Sequence, residues 1–530
     1  VIVRFRIFAT PIISFSLIGC ATSSSVRLDS ASSAMTIPEE EYQTMVTTSA
    51  NNILQTTIDK HISFLASDDL LGRDTPSQGL ETAAQYIADQ LTESGLQPLG
   101  DDGTFFQRFP YVSTTMVKQS LAVNYTTETG QEILEYAKDY WVIPGQEISS
   151  EAEVVFGGYA GDPVGDLSWE ATDKIVLFTT TGNPVQGDGE ELVSAFQAAA
   201  QARATGIVFL LDDTNTADSI LDLANGLAGA GLATPIPMIG LSNARSQMLL
   251  QKIGLSYPTS PELSTLQSAV TFPETRMSLS APFEISEHTP PNVVGLLPGS
   301  DPLLKDQYIV YSAHFDHVGV GIPNSSGDSL YNGADDNASG TSVLLETASA
   351  FSRLPKPLAR SIIFLAVSGE EKGLLGSKYF SENPTVPLEN IIMNINLDMV
   401  GRDPQPDTII GVGKQYTNLG KITEEILLEH PELGLTVIED PEPEDQLFFR
   451  SDHLHFINKD IPAIFFTGGE HPDYHQPSDE SDKIDFQQTT RLTKMVFYLG
   501  ARIATGTVSP EWTEEGLAEV RRIIAESGGN

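Results

Sequence analysis

From Pro290 to Ala501 short apolar runs alternate with longer stretches in which apolar residues recur every three or four positions. The runs Tyr308–Ser312, Ser361–Ser368, Ile391–Asp398, Thr408–Gly411 and Ala463–Thr467 are bounded by polar turns and predict strands. The stretches Thr341–Leu354, Leu374–Asn383, Tyr416–His430 and Phe486–Ala501 predict helices. This alternation argues for an α/β sandwich around a largely parallel sheet. Upstream, Glu39 to Gly95 is helical in pattern: Ile58, Ile62 and Leu65, then Ala83, Ala84, Ile87, Ala88 and Leu91, keep helical spacing on either side of the loop LLGRDTPSQG. Gly95 is the expected stop. Phe105–Val112 reads as a strand.

Between Ser113 and Thr289 the texture changes. Short β-rich runs (Glu153–Phe156, Lys174–Thr179, Gly206–Leu211, Pro237–Leu241) surround one alanine-rich helix, Leu192–Ala204. No His/Asp/Glu cluster of ligand-like order occurs there. Residues 113–289 are therefore expected to be an inserted β-rich domain without chemistry of its own. The main domain would then be discontinuous, 39–112 and 290–507, with a peripheral charged helix in 508–530.

Residues 1–19 have the form of an export signal. Arg4 and Arg6 precede the apolar run Ile7–Ile18, which is short for a membrane span. The run ends in Leu17-Ile18-Gly19-Cys20, which resembles a bacterial lipobox. It implies a lipid on Cys20, a flexible Ser-rich tether over 20–38 and a place in a bacterial cell envelope, at the outer membrane or in the periplasm, with release from the cell as the alternative. Composition narrows the function. The net charge of −41 argues against nucleic-acid partners, whose phosphates need Lys and Arg, and suits solubility in a saline or extracellular medium. With a single cysteine no intramolecular disulfide can form, so any metal site must draw on His, Asp and Glu, and the chain has nine histidines.

Candidate chemistry gathers where strands end. His314 and Asp316 follow Tyr308–Ser312, and Asp335 and Asp336 precede Asn337-Ala338-Ser339-Gly340. Glu370 and Glu371 follow Ser361–Ser368, Asp398 closes Ile391–Asp398, and His471, Tyr474 and His475 follow Ala463–Thr467. Taken singly, each acidic pair reads as a helix cap or a solvated turn. Taken together, carboxylates at one sheet edge repel one another unless a cation sits among them. Imidazole and carboxylate donors suit zinc.

The ordered motifs AHFD, ADDNASG, GEEKGLLGS, NLDM and YHQPSD resemble the co-catalytic di-zinc exopeptidases, the family of bacterial leucyl aminopeptidases and glutamate carboxypeptidase II. The resemblance covers about 290–505 strongly and 50–110 more weakly. It implies a zinc exopeptidase fold, a three-layer sandwich around a mixed, largely parallel sheet. It implies two Zn2+ per chain: one held by His314 and Asp398, the other by Glu371 and His475, with Asp336 bridging. Asp336 is preferred to Asp335 because it lies four residues before Gly340. Glu370 would be the general base, Tyr474 the donor to the developing oxyanion, and Asp316 the group orienting His314. Arg450 would be a lesser candidate for a substrate contact. His317, His453, His455 and His471 would not be ligands, though His317 and His471 lie close enough to ligands for a substrate role. The order of GGYAG, DKIVLF, AAAQARATGIVFL and IPMIGLSNA within 113–289 resembles a protease-associated domain.

The expected activity is that of an aminopeptidase acting on peptides. A glutamate-carboxypeptidase-like hydrolase of acidic dipeptides is the alternative, and the scarcity of basic residues leans against it. A glutaminyl cyclase on this fold would not need the full ligand set. A receptor-like binding protein on the same fold would lack one or more of these ligands. Oligomeric state and side-chain preference stay open.

Overall fold

The computed structural model describes residues 37–526 apart from 117–119, 128–129, 137, 143–147, 164–166, 168–170, 181–189, 212–235, 237, 253–268, 322–323, 325, 403–404 and 442–446. The expected signal, Cys20 and most of the tether lie outside the described residues. Among the described residues no helix is long and apolar enough to cross a membrane.

Four of the apolar runs pair in parallel. Tyr308–His314 lies between Ser361–Val367 on one side and Ile391–Leu397 on the other, and Ala463–Thr467 follows Ile391–Leu397. Antiparallel neighbours flank them: Pro291–Leu297 beside Ser361–Val367, and Thr408–Val412 beside Ala463–Thr467. The sheet is therefore mixed and largely parallel, and its four central strands are buried on both faces.

Successive side chains on a strand point to opposite faces. Ile309, Tyr311 and Phe364 join one buried cluster with helices Glu39–Ala50, Gln55–Leu65, Gln78–Glu93, Gly340–Ser352, Leu419–Glu429 and Phe486–Ala504. Val310, Ile363 and Leu365 face the other way, onto Phe380 of helix Leu375–Glu382 and Phe456 of helix His453–Ile457. This gives the three-layer α/β sandwich expected from the sequence.

Several boundaries differ from expectation for local reasons. The strand read as Phe105–Val112 is two strands, Phe106–Arg108 and Tyr111–Met116, because Pro110 has no N–H for a ladder. Strand Pro291–Leu297 escaped the pattern because it begins at a proline and contains Gly295. A Cβ on Gly295 would come within 3.0 Å of Leu91 and 3.1 Å of Leu96, so the glycine lets helix Gln78–Glu93 and the turn after it close onto the sheet.

The second sheet also has nine strands among the described residues. Eight run from Gly130–Leu134 at one edge to Tyr140–Val142 at the other, through Ala122–Thr127, Val270–Ala281, Ile148–Tyr159, Ile175–Thr179, Gly206–Leu210 and Met238–Leu241, and the ninth, Asp162–Pro163, pairs with Ile148–Tyr159. The chain leaves the first sheet along Tyr111–Met116 and returns along Phe283–His288, and these two strands pair antiparallel. Helix Gly516–Glu526 packs through buried Val520 against Ile457 and Ala463.

One residue of the loop LLGRDTPSQG supports the site from below. Arg73 is fully buried and donates to the carbonyls of Phe315 at 2.7 Å, Asn332 at 2.8 Å and Gly333 at 3.0 Å, and also to that of Leu65. The first three carbonyls lie in the two loops that carry His314 and Asp336, and Leu65 ends helix Gln55–Leu65. Without the guanidinium the carbonyls of Phe315 and Asn332 would lose this buried partner, while Gly333 O keeps the N–H of Ala338 at 3.2 Å. Arg73→Met is expected to lower stability by about 3–5 kcal/mol, seen as an earlier urea midpoint. An unchanged midpoint would show that the staple is dispensable.

Candidate active site

The parallel registers set His314 opposite Val367, Ser312 opposite Asn396, and Leu397 opposite Phe466. Four strands thus end at one edge, and each hands its next residues to the same space. His314 stands at a strand terminus, Glu370 and Glu371 follow Val367, Asp398 follows Leu397, and His475 lies in the loop beyond Thr467. A carboxyl-end crevice of this kind is where open α/β sheets place ligands.

Asp336 arrives differently, from the wide turn Ala334–Ser339 that opens helix Gly340–Ser352. Asn337 ties this turn to the sheet. Its amide donates to Leu397 O at 2.9 Å and its Oδ1 accepts from Gly340 N at 2.8 Å. A Cβ on Gly340 would fall 2.3 Å from Leu397 O, so only glycine lets the helix start so close to the strand end. Within this turn the two aspartates diverge. Asp335 faces away, its Oδ1 accepting from Gly401 N at 2.6 Å and its Oδ2 lying 3.1 Å from His471 Nε2. Asp336 faces the sheet edge.

Two donor groups share Asp336: His314, Asp336 and Asp398, and His317, Asp336, Glu371 and His475. Asp336 Oδ1 lies 3.3 Å from His314 Nε2, which is 3.1 Å from Asp398 Oδ1. Asp336 Oδ2 lies 3.1 Å from His475 Nε2, which is 3.1 Å from Glu371 Oε2. Donors around a tetrahedral zinc, each at about 2.0–2.1 Å from it, stand roughly 3.3 Å apart, so this spacing fits the ion. Charge points the same way. Buried Asp316, Asp336 and Asp398 and half-buried Glu370 and Glu371 outnumber the imidazoles of His314, His317 and His475, and a cation offsets that excess.

The ligand-type residues are held by further contacts. Asp398 Oδ2 accepts from Ser451 Oγ at 2.7 Å. Ser451 accepts from Asn396 Nδ2 at 2.7 Å, and Asn396 Oδ1 accepts from Ser312 Oγ at 2.6 Å. The Asp479 carboxylate accepts from the backbone N–H groups of Asp335 and Asp336, at 3.0 and 3.1 Å respectively. Asp316 differs from its expected role. Its backbone oxygen lies 3.2 Å from His314 Nδ1, whereas its carboxylate is 3.7 Å away. That carboxylate instead accepts from Thr75 Oγ1 at 3.0 Å and Glu370 N at 3.3 Å. Orientation of His314 therefore falls mainly on the Asp316 carbonyl, and the Asp316 side chain anchors the loop that carries Glu370.

A narrow cleft of about 40 Å³ opens on His314, Asp336 and Asp398, with Met399, Leu447 and Phe465 as apolar wall. Glu370 and Tyr474 line it as well. Burial, reinforced by the Glu371 and Asp398 charges and opposed by His314, holds the Glu370 carboxyl well above its usual range. Burial likewise raises the Tyr474 phenol, which stays a neutral donor. Its ring stacks on His475 at 3.9 Å, and Arg450 Nη2 stands 3.4 Å from its hydroxyl. Arg450 also pairs with Glu470 at 2.5 Å. Two larger grooves lie beside helix Glu39–Ala50 and bring no such donor set together.

The remaining histidines separate cleanly. His453 is fully buried against Phe465, and burial lowers it to about 3. His455 is lowered by burial to about 4, and His471 holds Asp335. His317, set outside the ligands by motif, stands inside the second donor group. Its one signal in the sequence is a second histidine three residues after His314 at the same strand end. Arg73, Thr75 and Ser451 carry no such signal, because nothing local marks a lone polar residue as buried, whereas Asp479 closes the motif YHQPSD.

A family model described as Peptidase family M28 matches residues 292–500. The chain is similar to aminopeptidase YwaD of Bacillus subtilis, 25% identical over 339 residues that cover 62% of each chain, so it spans less than two thirds of that protein's length. Among solved structures it is similar to an aminopeptidase from Aneurinibacillus sp. strain AM-1, with a TM-score of 0.56 at 17% identity, covering 86% of this chain and 95% of that one. It is also similar to a zinc aminopeptidase from Bacillus subtilis, with a TM-score of 0.54 at 19% identity, covering 85% and 94%. At these identities the two structures show a shared fold.

Proposed function

With the domain of residues 292–500 a member of Peptidase family M28, we propose that the protein is a zinc-dependent exopeptidase that removes N-terminal residues from peptides. The observation that carries this reading is Asp336, shared by two donor groups at the floor of a cleft that Glu370 lines without belonging to either group. The proposed zinc residues are His314 and Asp398, Glu371 and His475, and Asp336 between them. Zinc bound there would supply Lewis acidity towards the scissile carbonyl.

The chain's own residues do the rest. Glu370, kept high by burial, accepts the proton of the attacking water and returns it to the departing amine. The Tyr474 hydroxyl donates to the carbonyl oxygen as negative charge develops there. The apolar wall of Met399, Leu447 and Phe465 receives the side chain of the residue removed. A carboxypeptidase acting on acidic dipeptides would want a free cation in the cleft. Arg450, the one Lys or Arg among its described lining residues, is already paired with Glu470.

Export, a lipid anchor on Cys20, and an inserted protease-associated domain over 113–289 that shapes access to the cleft complete the proposal. They are supported by the sequence patterns.

The test is zinc analysis of the full chain together with hydrolysis of a leucyl chromogenic amide. Two zinc ions per chain are expected, with turnover of the free-amine substrate and none of its N-acetylated form. Chelation should stop turnover, and zinc should restore it. Chelation should also cost stability, about 4 kcal/mol where free zinc had stood at a thousandfold its Kd, read as a lower Tm. Cleavage of N-blocked acidic dipeptides alone would replace this reading with a carboxypeptidase. A chain that binds no metal would leave the receptor-like protein.

A further inference from the structure

The two oxygens of Glu371 have different neighbours. Oε2 lies 3.1 Å from His475 Nε2, the spacing of two donors to one metal. Oε1 lies 2.8 Å from His317 Nδ1, the spacing of a hydrogen bond. Asp398 repeats the pattern in the other donor group. Its Oδ1 lies 3.1 Å from His314 Nε2, while its Oδ2 accepts from Ser451 at 2.7 Å. Each outer carboxylate thus turns one oxygen to the site and has the other held by a buried donor.

His317 is built to be that donor. Its side chain is fully buried, and its ring lies edge-on to His475 at 5.6 Å. Gly333 closes over it: a Cβ there would come within 2.5 Å of His317 Cγ and Cδ2. The His317 backbone N–H donates to Arg73 O at 3.4 Å. Nε2 is buried with no hydrogen-bond partner among the described residues, so the polar contacts of the ring lie on the Nδ1 side.

We propose that His317 is a positioning residue for the second zinc: its Nδ1–H holds Glu371 Oε1 and so presents Oε2 alone to the metal. This rests on the two-zinc reading above. A carboxylate held in this way loses less freedom when the ion binds and keeps one mode of ligation. The 2.8 Å contact goes to the oxygen turned away from His475 and is shorter than the 3.5 Å from the same Nδ1 to Asp336 Oδ2, which favours this role over that of a further direct ligand.

The test is zinc affinity of the full chain, by competition with a chromophoric chelator, with the absorption bands of the Co2+ form as a second readout. His317→Leu should weaken one of the two sites by about 10–100-fold, the usual cost of losing a partner that holds a metal ligand, while the other site keeps its affinity. His317→Asn sets an amide N–H close to the position of Nδ1 and should restore most of that loss. His317→Gln carries its amide past that position and should stay weak. Should the leucine variant fail to fold, the contrast between asparagine and glutamine decides.

An asparagine variant as weak as glutamine, with altered cobalt bands, would overturn the proposal in favour of direct ligation. All variants binding like the parent would overturn it as well. Parent protein without metal would overturn the zinc reading itself, so the two failures are distinguishable.

Discussion

Replacing Glu370 by glutamine is expected to leave the two proposed zinc ions bound and to lower kcat by about 10²–10⁴-fold, with KM nearly unchanged. The expectation follows from where the two adjacent glutamates point. Glu371 is consumed by contacts to His317 and His475, at 2.8 and 3.1 Å. Glu370 belongs to neither donor group and lines the cleft. Glutamine keeps its shape but cannot take a proton. The check is steady-state kinetics with zinc analysis on the same preparation. Loss of zinc along with activity would mean that Glu370 is a ligand. Full activity would remove it from the chemistry.

Replacing Asp336 by alanine is expected to do more. Its two oxygens face different donor groups, at 3.3 Å from His314 Nε2 and 3.1 Å from His475 Nε2. Bound zinc should fall well below two per chain at both sites together, and turnover should vanish with it. The neighbour supplies the control. Asp335→Asn keeps an oxygen for Gly401 N and should retain both metals, because Asp335 faces Gly401 and His471 rather than the cleft. Metal loss in the Asp335 variant with retention in the Asp336 variant would reverse the assignment.

Much of this could be read along the chain. The runs ending near Val367 and Thr467 are almost wholly apolar, because parallel strands buried on both faces have no solvent side, while Ser312, Asn394 and Asn396, which break the runs ending near His314 and Leu397, hydrogen-bond to one another. Acidic and imidazole residues directly after such runs are costly to bury without a cation, and that cost made them conspicuous. Asn337 and Gly340 were legible as the start of a helix. The strand at Pro291–Leu297 was not, since proline and glycine mask a short apolar run.

What the sequence by itself determined is therefore the alternation of buried strands and helices and the set of metal-type residues at their ends. Both are encoded by neighbours a few residues apart, through periodicity and turn chemistry. Only the tertiary structure decided that His317 joins the site and that Arg73 lies buried beneath it, and it supplied the physical reason why Asp336, preferred from the motif, faces the site and Asp335 does not. Each of these depends on a partner far along the chain: Gly401 for Asp335, Glu371 for His317, Phe315 and Asn332 for Arg73. In an irregular turn the backbone leaves side-chain direction open, and the long-range hydrogen bond that avoids a buried, unpaired polar group selects it.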